Sequence, residues 1–127
     1  MILICGIPNA GKTTYSSRFD EVVHFDALRG TMRQMFSSVV EMISKNPDIC
    51  VDGVYANACE RKRLVAAASR SKNTCIWLDT PVDICVSREN RNRPEELPAW
   101  TRQTFEPPTY EEGWDEIIVL KDNGIFD

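Results

Sequence analysis

Apolar and polar positions along the chain follow two different periods. The short apolar runs Ile2–Cys5, Val22–Phe25, Ile49–Val51, Thr74–Leu78 and Ile117–Leu120 have the length of strands and are bounded by polar or turn-forming residues. Between them the spacing becomes helical. From Ala27 to Lys45, the residues Leu28, Met32, Met35, Phe36, Val39, Val40 and Ile43 recur close to every 3.6 positions, and Asn46-Pro47 stops the run. Lys12 to Phe19 reads as a helix directly after the first strand. Thr80-Pro81-Val82-Asp83 offers an N-cap, a proline at the first helical position and an acidic residue three positions on, so a helix is expected there that carries Arg88 toward its end. Strands alternating with helices predict an α/β fold, a three-layer sandwich with a parallel sheet of about five strands and crossover helices. No internal repeat interrupts the pattern.

In such sheets ligands collect at the carboxyl ends of the strands, so the residues after each apolar run carry the chemistry. The first of these turns reads Gly6-Ile7-Pro8-Asn9-Ala10-Gly11-Lys12-Thr13, the G-x-x-x-x-G-K-[ST] pattern of a phosphate-binding loop, placed between strand and helix as that function requires. Gly6 and Gly11 permit the tight turn, and the backbone N–H groups of Pro8-Asn9-Ala10-Gly11 and of Lys12-Thr13-Thr14 (proline excepted) are available to phosphate oxygens. Lys12 is expected to reach the β- and γ-phosphates and the Thr13 hydroxyl to ligate Mg²⁺, which makes ATP and Mg²⁺ the expected cofactors.

Three carboxylates follow other strands. Asp26 is a candidate general base for an attacking hydroxyl, or the N-cap of the next helix. Asp52 is a candidate Mg²⁺ ligand, direct or through water, or the first residue of an Asp-Gly turn. Asp79 reads as structural, and His24, the only histidine, as a packing residue on its strand. Arg88, Arg91 and Arg93 lie within six residues beside Asn90 and Asn92, ahead of Pro94. They suit a mobile lid around residues 88–95 that brings arginine to a transferring phosphoryl group, or a basic helix end that satisfies the helix dipole. Trp77, Trp100, Trp114, Tyr55 and Tyr110 are stacking surfaces or core.

A length of 127 residues fits one compact domain spanning 1–127. Hydrophobic content of 43% is that of a globular chain, and no apolar run reaches membrane-spanning length, so no membrane partner and a cytoplasmic location are expected. The apolar run at residue 2 has no charged leader before it. The five cysteines include no C-x-x-C pair and read as reduced core residues. Net charge is −4, yet the charge is segregated: residues 61–93 hold eight basic and three acidic side chains, and residues 94–127 hold two and nine. Arg61-Lys62-Arg63 reads as the solvated face of a helix.

GIPNAGKTT, the FDALR element with Asp26 and Arg29, VDGVYAN followed by ERKR, RENRNR and FEPPTYEEGWDEIIVL together resemble the polynucleotide kinase branch of P-loop kinases over nearly the whole chain. The resemblance implies a single P-loop kinase domain that moves the γ-phosphoryl group of ATP to a hydroxyl of DNA or another polynucleotide. It implies Asp26 as the base, Arg29 as the contact to a phosphate of the acceptor strand, and Arg88, Arg91 or Arg93 at the donor phosphates. The chain is also similar to viral enzymes that phosphorylate the hydroxymethyl group of a modified pyrimidine, such as 5-hydroxymethyluracil, in the hypermodified DNA of phage. Nucleic acid, DNA foremost, is then the expected partner, with no obligate protein partner. Two alternatives are a P-loop kinase of a small metabolite, and a nucleotide-dependent switch, for which no Asn-Lys-x-Asp base-recognition element is present.

Overall fold

In the computed structural model, which describes residues 1–121, five parallel strands form one sheet in the order β2-β3-β1-β4-β5. The strands are β1 (Ile2–Cys5), β2 (Val22–His24), β3 (Cys50–Gly53), β4 (Thr74–Leu78) and β5 (Glu116–Leu120). The helices are α1 (Lys12–Ser16), α2 (Met32–Lys45), α3 (Ala58–Ala67), α4 (Val82–Ser87) and α5 (Leu97–Thr104), with 3₁₀ turns at Phe25–Ala27 and Tyr110–Glu112. The connection from β1 to β2 runs toward one edge and the later ones run toward the other, so right-handed crossovers put α1 on one face and α2 and α3 on the opposite face. The direction reverses at β1. A crevice therefore opens beyond the carboxyl end of β1, between β3 and β4, and the glycine-rich loop between β1 and α1 lies there.

The central strands are apolar on both sides because both faces are covered. Leu3, Ile4 and Cys5 of β1, Val51 of β3, Cys75 and Leu78 of β4, Val39 and Ile43 of α2 and Leu64 of α3 are completely buried. Each aliphatic side chain so enclosed contributes about 1.5–3 kcal/mol relative to exposure. The edge strands β2 and β5 are only partly covered, as their mixed patterns require.

Element boundaries differ from the sequence expectation where side chains compete with backbone. The expected Lys12–Phe19 helix stops at Ser16, because the Ser16 and Ser17 hydroxyls donate to the carbonyls of Thr13 and Thr14 and the chain tightens into i→i+3 bonds at Arg18 and Phe19. The helix expected from Ala27 begins only at Met32. Gly30 adopts φ +110 there, and Thr31 and Gln34 form a reciprocal capping box that fixes the start. Thr80 does not cap α4. Its hydroxyl donates to the Ala10 carbonyl at 2.8 Å, and Pro81 takes the N-cap position.

Arg61 is the largest departure. The charge pattern assigns it to a solvated face, but the side chain is fully buried. Its guanidinium donates to both carboxylate oxygens of Glu112, at 2.8 and 3.0 Å, and to the carbonyls of Tyr55 and Glu106, each at 2.6 Å. Trp114 Nε1 adds a third side-chain bond to Glu112. Burial pushes the Glu112 carboxyl up, and the bonds from Arg61, Trp114 and the Thr109 N–H more than reverse that, holding it below its ordinary value. This cluster ties the acidic C-terminal third to α3 and to the loop after β3. Cys5, Cys50, Cys75 and Cys85 are buried, whereas Cys59 is exposed on α3, against expectation. Burial, reinforced by Asp52, pushes the Cys50 thiol up to about 12.

Candidate functional site

Sterics and backbone geometry build the phosphate loop. A Cβ on Gly6 would lie 2.9 Å from the Leu78 carbonyl oxygen and 3.1 Å from the Ala10 Cβ, so only glycine lets β1 turn against β4. Gly11 and Asn9 take left-handed φ values of 99 and 67. The Thr80 hydroxyl holds the loop from below at Ala10. The Lys12 ammonium folds back over its own loop and donates to the carbonyls of Gly6 at 3.1 Å and Ile7 at 2.8 Å. Burial lowers Lys12 to about 8, against the opposing pull of Asp26 and Asp52.

A cleft of about 360 Å³ opens above this loop. One wall is Pro8, Asn9, Gly11, Lys12, Thr13 and Thr14; facing them are Asp26, Arg88, Arg91 and Arg93. Six of the eight residues from the loop and helix start named by the sequence as nucleotide contacts, together with Asp26 and all three arginines, thus meet around one space, while Ala10 is fully buried and outside the lining. Gly6 is buried as well. Asp26 lies in the 3₁₀ turn after β2 and does not cap α2, a role Thr31 takes. Its carboxylate is 59% exposed and stands 3.7 Å from Arg91 Nη1, across the cleft mouth. Arg29 is exposed on the following loop and lies outside the cleft lining.

Asp52 is not in a turn. It is the third residue of β3, 4% exposed, and its register places it between Ile4 of β1 and His24 of β2. Side chains paired across parallel strands point to the same face, so His24 Nδ1 meets Asp52 Oδ2 at 2.7 Å. His24 is therefore a partner of the buried carboxylate and not a packing residue. Asp79 accepts from Lys121 at 2.9 Å and lies 3.9 Å from Arg102, a structural arrangement.

Mg²⁺ favours hard oxygen donors and retains several waters and substrate oxygens in its shell. The Thr13 hydroxyl, on a residue that lines the cleft, is a donor of that kind, and so is the Asp52 oxygen not engaged by His24, although Asp52 itself lies outside the cleft lining. Among the described residues no group of three or more His, Cys, Asp or Glu side chains forms a cage for a metal, so a cation here would rely on substrate phosphates for the rest of its coordination.

Two features carried no sequence signal. Glu89 accepts from Asn9, from Arg93 and from two backbone N–H groups of its own loop, although an acidic residue among arginines reads as a solvated charge. Tyr55 lies edge-on to Phe25 with centroids 5.5 Å apart, at φ 41, and its buried hydroxyl has no hydrogen-bond partner among the described residues. Trp77 and Trp114 are core as well, and Trp100 and Tyr110 are exposed.

No protein-family model matches the sequence, and no curated protein sequence does. In structure the chain is similar to an unliganded sugar kinase from Janibacter sp. HTCC2649, with a TM-score of 0.72 over 94% of this chain and 83% of that one at 17% sequence identity. It is also similar to a gluconokinase from Sinorhizobium meliloti 1021, with a TM-score of 0.76 over 98% of this chain and 83% of that one at 12% identity. The shared property is the fold. Among the described residues no helix is long and apolar enough to cross a membrane.

Proposed function

We propose that this chain is a kinase that transfers the γ-phosphoryl group of ATP to a hydroxyl of a small, sugar-like metabolite. The observation that carries the transfer is the convergence of Lys12, Thr13, Asp26 and Arg91 on one cleft of about 360 Å³. In the reaction, Asp26 accepts the proton as the acceptor oxygen bonds to the γ-phosphorus, the bond from that phosphorus to the β-bridging oxygen breaks, and ADP leaves. Lys12 and the lid arginines balance charge on the phosphoryl oxygens. Mg²⁺ bound through Thr13, and through Asp52 directly or by way of water, would supply further charge neutralisation at the phosphates.

Three observations favour a small acceptor. Two structures with a similar fold are a sugar kinase and a gluconokinase. The basic cluster at residues 61–63 does not form a track for a polyanion, because Arg61 is buried in an ion pair. The C-terminal third that flanks α3 is acidic; it supplies Glu112 as the partner in that pair and the Glu106 carbonyl as a further acceptor for Arg61.

A polynucleotide hydroxyl is the second reading. It rests on the Asp26 and Arg29 pairing of the D-x-x-R element, with Arg29 exposed next to the base where a strand phosphate could approach.

One assay separates the two. Labelled ATP and Mg²⁺ are incubated with sugars and sugar acids, with a 5′-hydroxyl oligonucleotide, and with DNA carrying a hydroxymethylated pyrimidine. Label on a sugar is expected, and label confined to the nucleic acids would replace the first reading by the second. Asp26→Asn is expected to lower kcat by about 10²–10⁴ with nucleotide affinity kept, and near-normal turnover would remove Asp26 as the base.

A further inference from the structure

We propose that Asn9, Glu89 and Arg93 form a latch between the phosphate loop and the lid, so that Asn9 and Glu89 act as positioning residues for the phosphate site. This inference rests on the kinase reading of the same cleft and adds a task for Glu89 and for the Asn9 side chain, to which the motif assigns none.

The lid segment after α4 is wound around the Glu89 carboxylate. Oε2 accepts the backbone N–H groups of Arg91 at 2.8 Å and Arg93 at 3.2 Å, and Arg93 Nε reaches both carboxylate oxygens, at 3.2 and 3.3 Å. Asn92, between those two N–H groups, takes φ 59, which turns them toward the same oxygen; asparagine tolerates that left-handed geometry. The result is a concave nest of N–H donors with a carboxylate inside it. Arg93, Asn9 and the two backbone N–H groups hold Glu89 at about 2, so the carboxylate stays charged throughout the range in which the protein would work.

Asn9 connects this nest to the phosphate loop, using both ends of its amide. Nδ2 donates to Glu89 Oε1 at 2.7 Å and to the Cys85 carbonyl at 3.2 Å, while Oδ1 accepts from Arg93 Nη2 at 2.8 Å. Arg88 Nη1 donates to the Asn9 backbone carbonyl at 3.3 Å, which adds a contact from the end of α4. Asn9 is itself in a left-handed conformation in the loop and lines the cleft, so any torque on its side chain acts on the loop backbone that would hold phosphate under the kinase reading. Arg93 and Glu89 are half-buried, in contrast to Arg91, whose side chain is 57% exposed and extends across the cleft toward Asp26. The latch thus divides the arginines: Arg93 anchors the lid, and Arg91 is presented to the cleft. Charge-assisted bonds of this kind are roughly twice as strong as neutral ones, and five of them converge on one carboxylate here.

Limited trypsin digestion reads the latch without reference to any activity. Glu89→Gln keeps the shape and removes the charge, and Asn9→Gly deletes the amide while allowing the left-handed backbone. In both variants cleavage after Arg88 and Arg91 is expected to accelerate about tenfold over the wild type, with cleavage elsewhere unchanged. ATP binding by calorimetry, without acceptor, is expected to weaken about five- to tenfold in each variant, and the double variant should lose little more than either single one, since both cut the same connection. Wild-type trypsin rates in both variants would overturn the latch. Tighter ATP binding by Glu89→Gln would also overturn it, because the carboxylate would then be occupying an anion site that nucleotide needs. If the wild type bound no ATP while the trypsin result held, the latch would stand and the kinase reading would fall.

Discussion

Lys12 gives the most quantitative test of the phosphate site. Its ammonium is lowered to about 8 because burial against the Gly6 and Ile7 carbonyls removes water that the two carboxylates only partly replace. A bound triphosphate brings several negative charges to the same place and raises the lysine again, so nucleotide selects the protonated form. The protonated fraction of the free protein is about 0.76 at pH 7.5 and about 0.03 at pH 9.5 for a group titrating near 8. ATP affinity should therefore fall about 25-fold across that interval, or about 1.9 kcal/mol, with a limiting slope of one log unit per pH unit. Fold stability moves the other way. A lysine lowered in the folded chain binds fewer protons there than in the unfolded chain, so between about 8 and its ordinary 10.5 the Lys12 contribution to stability increases with pH. Loss of binding through this window is then distinct from unfolding. Calorimetric titrations with ATP from pH 7.5 to 9.5, paired with thermal melts, provide the measurement, and Lys12→Arg, charged throughout, should flatten the profile. A wild-type affinity unchanged between pH 7.5 and 9.5 would refute both the depressed lysine and its role at the phosphates.

Two further perturbations test the frame that holds the cleft. Glu112→Gln removes the countercharge of the fully buried Arg61 and should cost about 3–5 kcal/mol, lowering Tm by roughly 10–20 °C; Arg61→Met with Glu112→Leu should recover most of that loss, and a Glu112→Gln melt at the wild-type temperature would refute a stabilising role for the Glu112 charge. Gly6→Ala places a methyl 2.9 Å from the Leu78 carbonyl and should destabilise the fold by about 1–3 kcal/mol while weakening ATP binding more than tenfold, with wild-type ATP affinity as the contrary result.

How much of this was legible beforehand depended on the range of the interaction involved. The pattern of apolar runs gave five strands in a parallel sheet, with β1 and β4 matching residue for residue, because a strand covered on both faces must be apolar throughout. The G-x-x-x-x-G-K-T spacing located the turn between β1 and α1 because its requirements are local: a glycine where a Cβ would strike a neighbouring carbonyl, and a lysine one residue past a left-handed turn. Asp26 and the three arginines were placed near the site by their positions after strand and helix ends. Side-chain competition was harder to see. The α1 and α2 boundaries shifted by several residues because Ser16, Ser17, Thr31 and Gln34 hydrogen-bond to nearby backbone, a choice that apolar periodicity does not record.

Partners distant in sequence were decided only by the tertiary structure. His24 and Asp52 are 28 residues apart and meet through strand register; Arg61 and Glu112 are 51 apart and meet where the C-terminal segment crosses α3; Asn9 and Glu89 are 80 apart and meet because β1 and β4 are neighbours. A residue type states what a side chain is able to bond, and the fold chooses the bond, since burial makes an unpaired charge too costly to leave alone. For that reason the sequence was sufficient to place the glycine-rich turn and its lysine between β1 and α1, while the packing of distant elements determined which arginine is buried, which bonds Glu89 and which reaches across the cleft.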